Sequence, residues 1–361
     1  MKTIVLVTWK GGENYGTCLQ SFALYQKLCL FGYHVRFFSG SPEKYSLKFY
    51  INLIRFKIKI KKKTIQDKKR EKFQSEVFND IVPYTPWQEK KMVSETDCFI
   101  TGSDQIWNTY FRFSPKKFLS FAGDKKRVAY ASSIGTNSIK FEFKELVKQY
   151  LAKFSHIGVR EEEAVKVLSE LTGRSDIIQV LDPTFLLTPD EWKQVARKAI
   201  YEMQLPNDYI LCYLIGQNDC YKEQLQDVRK KLGVENVVII PAAENRSFSC
   251  DNTVVYNNAS PIEFVDLLQR AKYVCTDSFH ATALCINHSV PFVEFMRFMD
   301  DDKKSQNSRI YDVLAHYNLK NRIYSADSLE WTKQINYHEV QRILTQDRKK
   351  STDYLVNAIE H

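Results

Sequence analysis

The segment VTWKGGENYGTCLQSFAL, residues 7–24, joins the first strand-like run of the chain to the first helix-like run. The apolar run TIVLV, which ends at Val7, predicts a strand, and TCLQSFALYQKL continues with apolar residues at helical spacing. Glycines let a backbone approach a ligand closely, and the amides of a helix N-terminus attract anions or hydroxyl groups. The loop between strand and helix is therefore either a ligand-binding segment or a tight structural turn.

Neither common nucleotide-binding fingerprint is met in this loop. Gly11 and Gly16 have the spacing of a phosphate-binding loop, but Thr17 stands where that motif requires Lys. The spacing G-x-G-x-x-G is also not met. The loop sequence gives no specific indication of a nucleotide.

Short apolar runs alternate with amphipathic segments, first up to residue 204 and again from residue 205. In the first part the strand-like runs are Ile4–Thr8, Val35–Ser39, Cys98–Thr101, Val128–Ser132 and Ile177–Leu181, and the helix-like runs include Thr17–Phe31, Phe141–Phe154, Glu161–Thr172 and Pro189–Glu202. After a break at MQLPNDY, the strand-like runs are Ile210–Ile215, Val237–Pro241, Thr253–Tyr256, Tyr273–Thr276 and Pro291–Phe295, and the helix-like runs are Tyr221–Leu232, Pro261–Arg270 and Ala281–Ile286. This alternation predicts an α/β protein with two Rossmann-like domains that face each other across a cleft.

The predicted boundaries follow from the break and from the last periodic segment. Residues 1–204 form the N-terminal domain, 205–330 the C-terminal domain, and 331–361 a helix that returns to pack on the N-terminal domain. Parallel sheets bind ligands beyond the carboxyl ends of their strands. The loops that follow strands are therefore the places to look for chemistry.

Charge is concentrated in one stretch of the chain. The net charge of the 361 residues is +9, and residues 55–72 alone carry ten Lys or Arg against two acids. The rest is nearly neutral, which argues against a broad nucleic-acid surface. No apolar run is long enough to span a bilayer or to act as a signal peptide, so we expect a cytoplasmic protein.

The basic stretch belongs to a predicted insertion, residues 47–72. Its apolar residues Leu47, Tyr50, Ile51, Ile54 and Ile58 fall at helical spacing. One interpretation is an amphipathic basic helix that lies on an anionic membrane surface. The alternative is a solvated charged helix or a mobile insertion.

The segment DCFITGSDQIWN, residues 97–108, places three polar side chains directly after a strand-like run. Ser103, Asp104 and Gln105 offer a hydroxyl, a carboxylate and an amide, the groups that bind a sugar or activate a hydroxyl. Ser and Asp also begin helices as N-caps. That alternative explains one of the three polar groups more readily than all of them.

Arg160 ends a short strand-like run and is followed by three glutamates in FSHIGVREEEAVKVL. Acids at a helix N-terminus suit its dipole, and one of them could simply pair with Arg160. The functional alternative is that Arg160 holds a phosphate or carboxylate through both arms of its guanidinium.

The segment AKYVCTDSFHATALCINHSVPFVEF, residues 271–295, is the most specific of these loops. A buried strand brings Thr276, Asp277, Ser278 and His280 to the start of a helix. A lone His is more often structural than catalytic, but this one stands among hydroxyls where a ligand is expected. A helix N-terminus disfavours the imidazolium and a bound phosphate favours it, so the proton affinity of His280 could depend on substrate.

In chain order, these segments and three others resemble the polysaccharide pyruvyl transferase family. The similarity runs through GGENYGTCLQSFAL, FITGSDQIWN, YASSIG, GVREEEA, VLDPTFLL, SPIEFVDLLQRAKYVCTDSFHATAL and NSRI. It implies a fold like that of the two-domain GT-B glycosyltransferases, with the active site in the cleft between domains. It also implies that phosphoenolpyruvate donates its carbons to two hydroxyls of one sugar, which forms a cyclic ketal and releases phosphate.

The resemblance also implies roles for individual residues. His280 becomes the acid/base residue and Arg160 a donor-binding cation, and Asp104 could assist as base. Ser278 and His280 would also bind the donor. Some family members carry an Arg where Ser278 stands here, so we expect Arg309 or Lys10 to replace that cation. The donor would lie against the C-terminal domain and the acceptor sugar against the N-terminal domain. The implied acceptor-binding residues are Asn14, Tyr15, Gly16, Ser103, Asp104 and Gln105. Phosphoenolpyruvate is a co-substrate, and the mechanism requires no metal or other cofactor.

Two alternatives remain at this point. A GT-B glycosyltransferase commonly carries a Glu-Ala pair seven residues before the Pro of its last strand, but Leu284 and Cys285 occupy that place before Pro291. A non-catalytic protein that binds anionic glycans or membranes would not need His280 and Arg160 together.

A lipid-linked oligosaccharide acceptor on the inner leaflet would suit the basic insertion.

Overall fold

The structure, a computed structural model, describes residues 1–38, 63–78, 80–81, 85–111, 113–298 and 307–361. Residues 47–62 of the predicted basic insertion lie outside the described residues. The described chain contains two parallel sheets, one built from residues 3–179 and the other from residues 210–294. Two α/β units with parallel sheets were predicted, and the fold class is confirmed.

The first sheet has seven parallel strands in the order β3-β2-β1-β4-β5-β6-β7. Its central strands are apolar and buried on both faces, as is usual where helices cover a parallel sheet. The strands are β1 Thr3–Val7, β2 His34–Phe38, β3 Asp80–Ile81, β4 Cys98–Thr101, β5 Lys126–Ser132, β6 His156–Val159 and β7 Ile178–Gln179. The strand predicted over Ile177–Leu181 is thus only two residues long.

The second sheet has five parallel strands in the order β10-β9-β8-β11-β12. The strands are β8 Ile210–Tyr213, β9 Val237–Ile239, β10 Val254–Val255, β11 Tyr273–Thr276 and β12 Phe292–Glu294. β11 lies between β8 and β12 and is buried throughout. Its carboxyl end therefore lies at the edge of the second sheet where ligands bind.

Helices connect the strands of both sheets. They are α1 Tyr15–Leu30, α2 Ile65–Val77, α3 Pro86–Ser94, α4 Lys144–Leu151, α5 Glu162–Thr172, α6 Pro189–Ala196, α7 Tyr221–Leu232, α8 Pro261–Arg270, α9 Phe279–His288, α10 Ser308–His316 and α11 Tyr337–Glu360. Capping boxes begin α2, α3, α6 and α8, which satisfies amides that the helix itself leaves unpaired. Asn14 caps α1 by accepting from the Thr17 amide at 3.1 Å.

The two α/β units share one hydrophobic core. The ring of Tyr15, at the start of α1, stacks on Phe264 with a centroid distance of 4.7 Å, and its hydroxyl donates to the Ala259 carbonyl at 2.9 Å. From the second unit, the Asn287 side-chain amide donates to the carbonyls of Thr184 and Leu187, which follow the first sheet in the chain. These contacts fix how the ligand edges of the two sheets meet.

The last helix returns to the first sheet, as predicted. In α11, the Tyr354 hydroxyl donates to the Ala129 carbonyl on β5 at 2.9 Å, and the Ser351 hydroxyl accepts from the Leu181 amide at 3.0 Å. Lys2 pairs with Glu360 at the end of the helix at 2.8 Å. The described residues contain no helix long and apolar enough to cross a membrane.

The predicted helix over residues 47–72 is not continuous. Thr64 has extended backbone and caps α2, so a helix begins at Ile65 and no helix crosses position 64. Phe73 is buried against Phe22, and the Lys69 ammonium lies 3.2 Å from Glu263 of the second unit. Lys69, in the described part of the basic stretch, therefore helps to hold the two units together.

Candidate active site

Polar side chains from both sheets meet where their strands end. Asp104 follows β4, Arg160 follows β6, Asp182 lies three residues beyond β7, and His280 lies just after β11 in the second sheet. All of these strands are parallel, so their carboxyl ends face the same edge of each sheet. The segments singled out from the sequence thus converge in space.

Arg160 is the centre of the cluster, and its side chain is almost fully buried. Its Nη1 donates to Asp182 Oδ2 at 3.0 Å, its Nε donates to Glu161 Oε1 at 3.0 Å, and its Nη2 lies 3.8 Å from Asp104 Oδ1. Burial disfavours the charge, but the three carboxylates outweigh burial and raise the pKa of Arg160 above its ordinary value. Of the three glutamates that follow Arg160, Glu161 does pair with it.

Asp182 is a member of the cluster that sequence reasoning did not assign to the site. Its Oδ1 accepts from the amide and hydroxyl of Thr184, and its Oδ2 faces both Arg160 and His280. Burial alone would raise the pKa of this carboxyl, yet His280 and Arg160 hold it well below the ordinary value. The sequence feature that could have indicated Asp182 is the Asp-Pro pair after an apolar run in VLDPTFLL.

Asp104 and Ser103 join the cluster from the first sheet. The Thr17 hydroxyl of α1 donates to Asp104 Oδ2 at 2.9 Å, and the Gln105 amide donates to Oδ1 at 2.8 Å. Burial opposes ionisation, but Arg160 and His280 lower the pKa of Asp104. The Ser103 hydroxyl is buried 3.5 Å from Asp182 Oδ2. The carboxylate predicted as a base is therefore ionised and held by neighbours.

His280 is held between Asp182 and the start of α1. Its Nε2 lies 3.6 Å from Asp182 Oδ2, beyond a normal hydrogen bond, and finds no hydrogen-bond partner among the described residues. A Cβ atom on Gly16 would lie 2.6 Å from His280 Cγ and 2.8 Å from His280 Cβ. Position 16 therefore has to be glycine for the imidazole to occupy this place.

A cavity of about 470 Å³ opens beside the cluster, lined by Arg160, Asp182, Phe279 and Arg309 among others. We call it the arginine cavity. The guanidinium carbons of Arg160 and Arg309 lie 5.0 and 6.0 Å from the centroid of the Phe279 ring. Burial and then repulsion from Arg160 lower the pKa of Arg309 to about 10. His280 is not among the lining residues, so it adjoins the arginine cavity through Asp182.

A second, more open hollow of about 420 Å³ lies at the opening loop. It is lined by Trp9, Gly11, Gly12, Glu13, Asn14, Thr17 and Ala243. It shares no lining residue with the arginine cavity. The loop thus borders an exposed hollow as well as His280.

Several predicted site residues have structural roles here. Tyr15 is buried in the core between the units, and the Asn14 side chain caps α1. The Gln105 side chain accepts from the Asn108 amide at 2.9 Å. Ser278 is buried at the start of α9, and Lys10 lies in the loop after β1 and is not among the lining residues of the arginine cavity. Of the two replacement cations predicted, the structure brings Arg309 to Arg160.

Comparison with known proteins extends this picture. UDP-GlcNAc 2-epimerase from Neisseria meningitidis matches with a TM-score of 0.50 at 12% identity, over 99% of this chain and 94% of that one. Acinetobacter baumannii MurG matches with a TM-score of 0.43 at 8% identity, over 100% and 99% of the two chains. At 12% identity the likeness to the epimerase shows the fold alone, a GT-B fold. No curated protein matches this sequence significantly. The sequence profile of the polysaccharide pyruvyl transferases matches residues 14–296, and the chain belongs to that family.

Proposed function

We propose that this protein transfers the pyruvyl group of phosphoenolpyruvate to two hydroxyls of one sugar in a glycan precursor. The product is a cyclic ketal, and phosphate is released. The observation that carries the proposal is the convergence of Arg160 and Arg309 on one cavity, beside the Asp182–His280 pair. Two guanidiniums suit a donor that carries both a phosphate and a carboxylate, because each can bind an oxyanion through paired N–H groups.

The charge state of Arg309 supports an anionic donor. Burial first and then repulsion from Arg160 lower its pKa, and the guanidiniums of Arg160 and Arg309 lie 5.0 and 6.0 Å from the centroid of the Phe279 ring. An anion placed against both guanidiniums would relieve that repulsion. Arg309 thereby replaces the cation that some family members carry where Ser278 stands.

The proposed chemistry balances without a further reactant. A proton adds to the methylene carbon, the central carbon becomes an oxocarbenium-like electrophile, and one sugar hydroxyl adds to it. The bond from that carbon to the phosphate oxygen breaks, and the second hydroxyl adds to close the ring. Each of the two sugar hydroxyls releases one proton. One of these protons makes up for the proton added to the methylene carbon, and the other leaves with phosphate. The proposed steps require no metal or redox cofactor, because arginines balance the donor charge.

His280 is the proposed acid/base residue and Asp182 the group that orients it. The distance of 3.6 Å between Nε2 and Oδ2 is long, but catalytic hydrogen bonds often shorten only when substrate binds. Asp104 is the proposed assisting base, and its lowered pKa makes its carboxylate a weak one. These roles follow from the proximity of the groups.

The proposal extends to location and acceptor. A lipid-linked oligosaccharide on the cytoplasmic face of the inner membrane would bring the acceptor to a cytoplasmic enzyme. The basic insertion 47–72 would then attract the anionic surface, at about 1 kcal/mol for each Lys or Arg near it. In the described part of the insertion, Lys63 pairs with Glu71 and Lys69 with Glu263.

The test combines donor and acceptor measurements. We would incubate the protein with phosphoenolpyruvate and arylated or lipid-linked galactose, mannose and glucosamine-type acceptors, and measure phosphate release and acceptor mass. We expect acceptors that gain one pyruvate with loss of one water. Arg309→Met should weaken donor binding by roughly 10- to 100-fold, whereas Arg342→Met, at an exposed pair with Glu339, should not. Transfer from nucleotide sugars instead would favour a glycosyltransferase.

A further inference from the structure

Four aromatic side chains lie in loops at the carboxyl edge of the first sheet. They follow three strands that are neighbours in the sheet, Trp9 after β1, Tyr110 and Phe111 after β4, and Phe141 after β5. The ring centroids of Trp9 and Phe111 are 6.1 Å apart, which joins the first loop to the second. The hydroxyls of Tyr110 and Ser138 lie 3.0 Å apart, which joins the second loop to the third. We call these four side chains the aromatic rim.

The rings of the aromatic rim stand out into solvent. Phe111 is 78% exposed, Phe141 is 88% exposed and Tyr110 is 52% exposed. In the described part of the chain, none of these three side chains lines the arginine cavity or the hollow at the opening loop. Ligand pockets are concave and cover most of a small ligand, so rings as exposed as these are not the wall of a pocket. They suit contact with an extended surface instead.

A buried side chain holds the second loop of the rim in place. The Oδ1 atom of Asn108, which is itself buried, accepts from the amides of Tyr110 and Phe111 at 2.9 and 3.2 Å. The Thr109 hydroxyl accepts from the Lys140 amide at 3.0 Å, next to Phe141. These hydrogen bonds keep apolar rings together in exposed positions. Exposed apolar side chains that lie together, unlike single ones, mark interaction sites.

Positive charge accompanies the aromatic rim. The Lys117 ammonium lies 4.3 Å from the centroid of the Trp9 ring, and the segment YFRFSPKK, residues 110–117, carries three Lys or Arg and no acid. β2, the neighbour of β1, ends at Phe38 on the same edge of the sheet. The sequence that follows, residues 39–62, lies outside the described residues and carries seven Lys or Arg against one acid. Aromatic rings settle at the headgroup level of a bilayer, and Lys and Arg are attracted to its anionic lipids.

We infer that the aromatic rim is a membrane-docking surface, which inserts its rings among the headgroups of an anionic bilayer. The inference rests on the proposed function, because it assumes that the enzyme works at a membrane, but it assigns the contact to loops of the first unit and not to the basic insertion alone. Trp9 also lines the hollow at the opening loop. Docking through the rim would therefore bring that hollow to the lipid surface, where a lipid-linked substrate is held.

The test measures co-sedimentation of the full chain with vesicles of phosphatidylglycerol and phosphatidylcholine. The variants are Phe111→Ser, Phe141→Ser and the double variant. Phe31→Ser is the matched control, because Phe31 is an exposed ring beside Lys27 but lies at the end of α1, on the opposite edge of the same sheet. In a second measurement, Phe141→Trp adds a fluorophore whose quenching by brominated phosphatidylglycerol is compared with that of wild type.

We expect each serine variant to weaken vesicle binding about tenfold and the double variant about 100-fold, because interfacial binding increases with the apolar area that enters the bilayer. Phe31→Ser should bind vesicles like wild type, and Phe141→Trp should be quenched more than wild type. Tm, phosphoenolpyruvate binding and transfer to soluble arylated acceptors should stay close to wild type in all variants.

Serine variants that bind vesicles as tightly as wild type would overturn the inference. So would serine variants that lose transfer to soluble acceptors with vesicle binding unchanged, since the rings would then belong to acceptor binding. Wild-type protein that does not bind vesicles would overturn both the inference and the proposed membrane location. If vesicle binding depends on the rim but no pyruvyl group is transferred from phosphoenolpyruvate, the docking surface stands and the proposed activity is wrong.

Discussion

Gly16→Ala tests whether the position of the His280 ring matters for the reaction. Gly16 is the second residue of α1 and lies in ordinary helical conformation, so alanine fits the backbone. Helix propensity alone would favour alanine by about 1 kcal/mol. Any loss of function must therefore come from the new methyl group and not from the helix.

The size of the effect follows from the distances. The added Cβ would lie 2.6 Å from His280 Cγ, whereas carbon atoms in contact are ~3.5–4.0 Å apart. The imidazole must retreat by about 1 Å, and a displacement of that size in a catalytic group can cost about 100-fold in rate. We expect kcat for pyruvyl transfer to fall about 100-fold while the calorimetric Kd for phosphoenolpyruvate stays within about twofold.

A double-mutant cycle with His280→Ala shows whether the effect passes through the imidazole. If it does, Gly16→Ala should cost little further activity in the His280→Ala background, because contacting residues are not additive. Rates that simply multiply would refute the mechanism, as would a Gly16→Ala enzyme with wild-type kcat. The free energy of unfolding should change by less than about 2 kcal/mol, since overpacking and helix propensity oppose each other.

The remaining predictions concern stability and binding. Asp182→Asn leaves Arg160 with one carboxylate fewer and should destabilise the protein by about 3–5 kcal/mol at neutral pH in denaturant unfolding. The folded-state pKa of Asp182 is lowered, so the difference in the free energy of unfolding between wild type and Asp182→Asn should be fully present at pH values above the ordinary carboxyl pKa. It should shrink as the pH falls below that value. A difference that does not change with pH would contradict the ion-pair explanation. Tyr15→Phe removes the hydrogen bond to the Ala259 carbonyl and should lower the free energy of unfolding by about 1 kcal/mol. The acceptor KM should not change. A raised acceptor KM would indicate that Tyr15 binds the acceptor sugar. Replacing the lysines at 57, 59, 61, 62 and 63 by Gln should abolish binding to anionic liposomes, and unchanged binding would remove the membrane proposal.

The fold was predictable because its signals are local and repeated. Apolar runs of strand length alternate with amphipathic segments in both halves of the chain, and the break near residue 205 separates two sheets. Short edge strands such as β7 were overestimated, because an apolar run does not show how far the neighbouring strand pairs with it. The capped start of α2 at Thr64 was missed, although Thr64 and Asp67 have capping-box spacing.

The site was only partly predictable, because its geometry depends on which loops meet. Asp104, Arg160 and His280 are far apart in the chain, and each was found from its place after a strand. Asp182 was missed because one Asp before a Pro is an ordinary helix-starting pattern, and its partners lie 22 and 98 positions away. Tyr15 was predicted to bind the acceptor from the family resemblance. The structure places its ring in the core between the two units, a position that a glycine-rich loop does not reveal.

Charge balance separates the roles of the two arginines. Asp104, Glu161 and Asp182 already surround Arg160, so an anion brought to Arg160 alone would also meet three carboxylates. Arg309 lines the same cavity, and burial first and then repulsion from Arg160 lower its pKa. We therefore expect Arg309 to contribute more to donor affinity than Arg160, because Arg160 also holds the three acids in place. It follows that changing Arg160 should reduce stability and activity together, and changing Arg309 should reduce donor binding with stability retained.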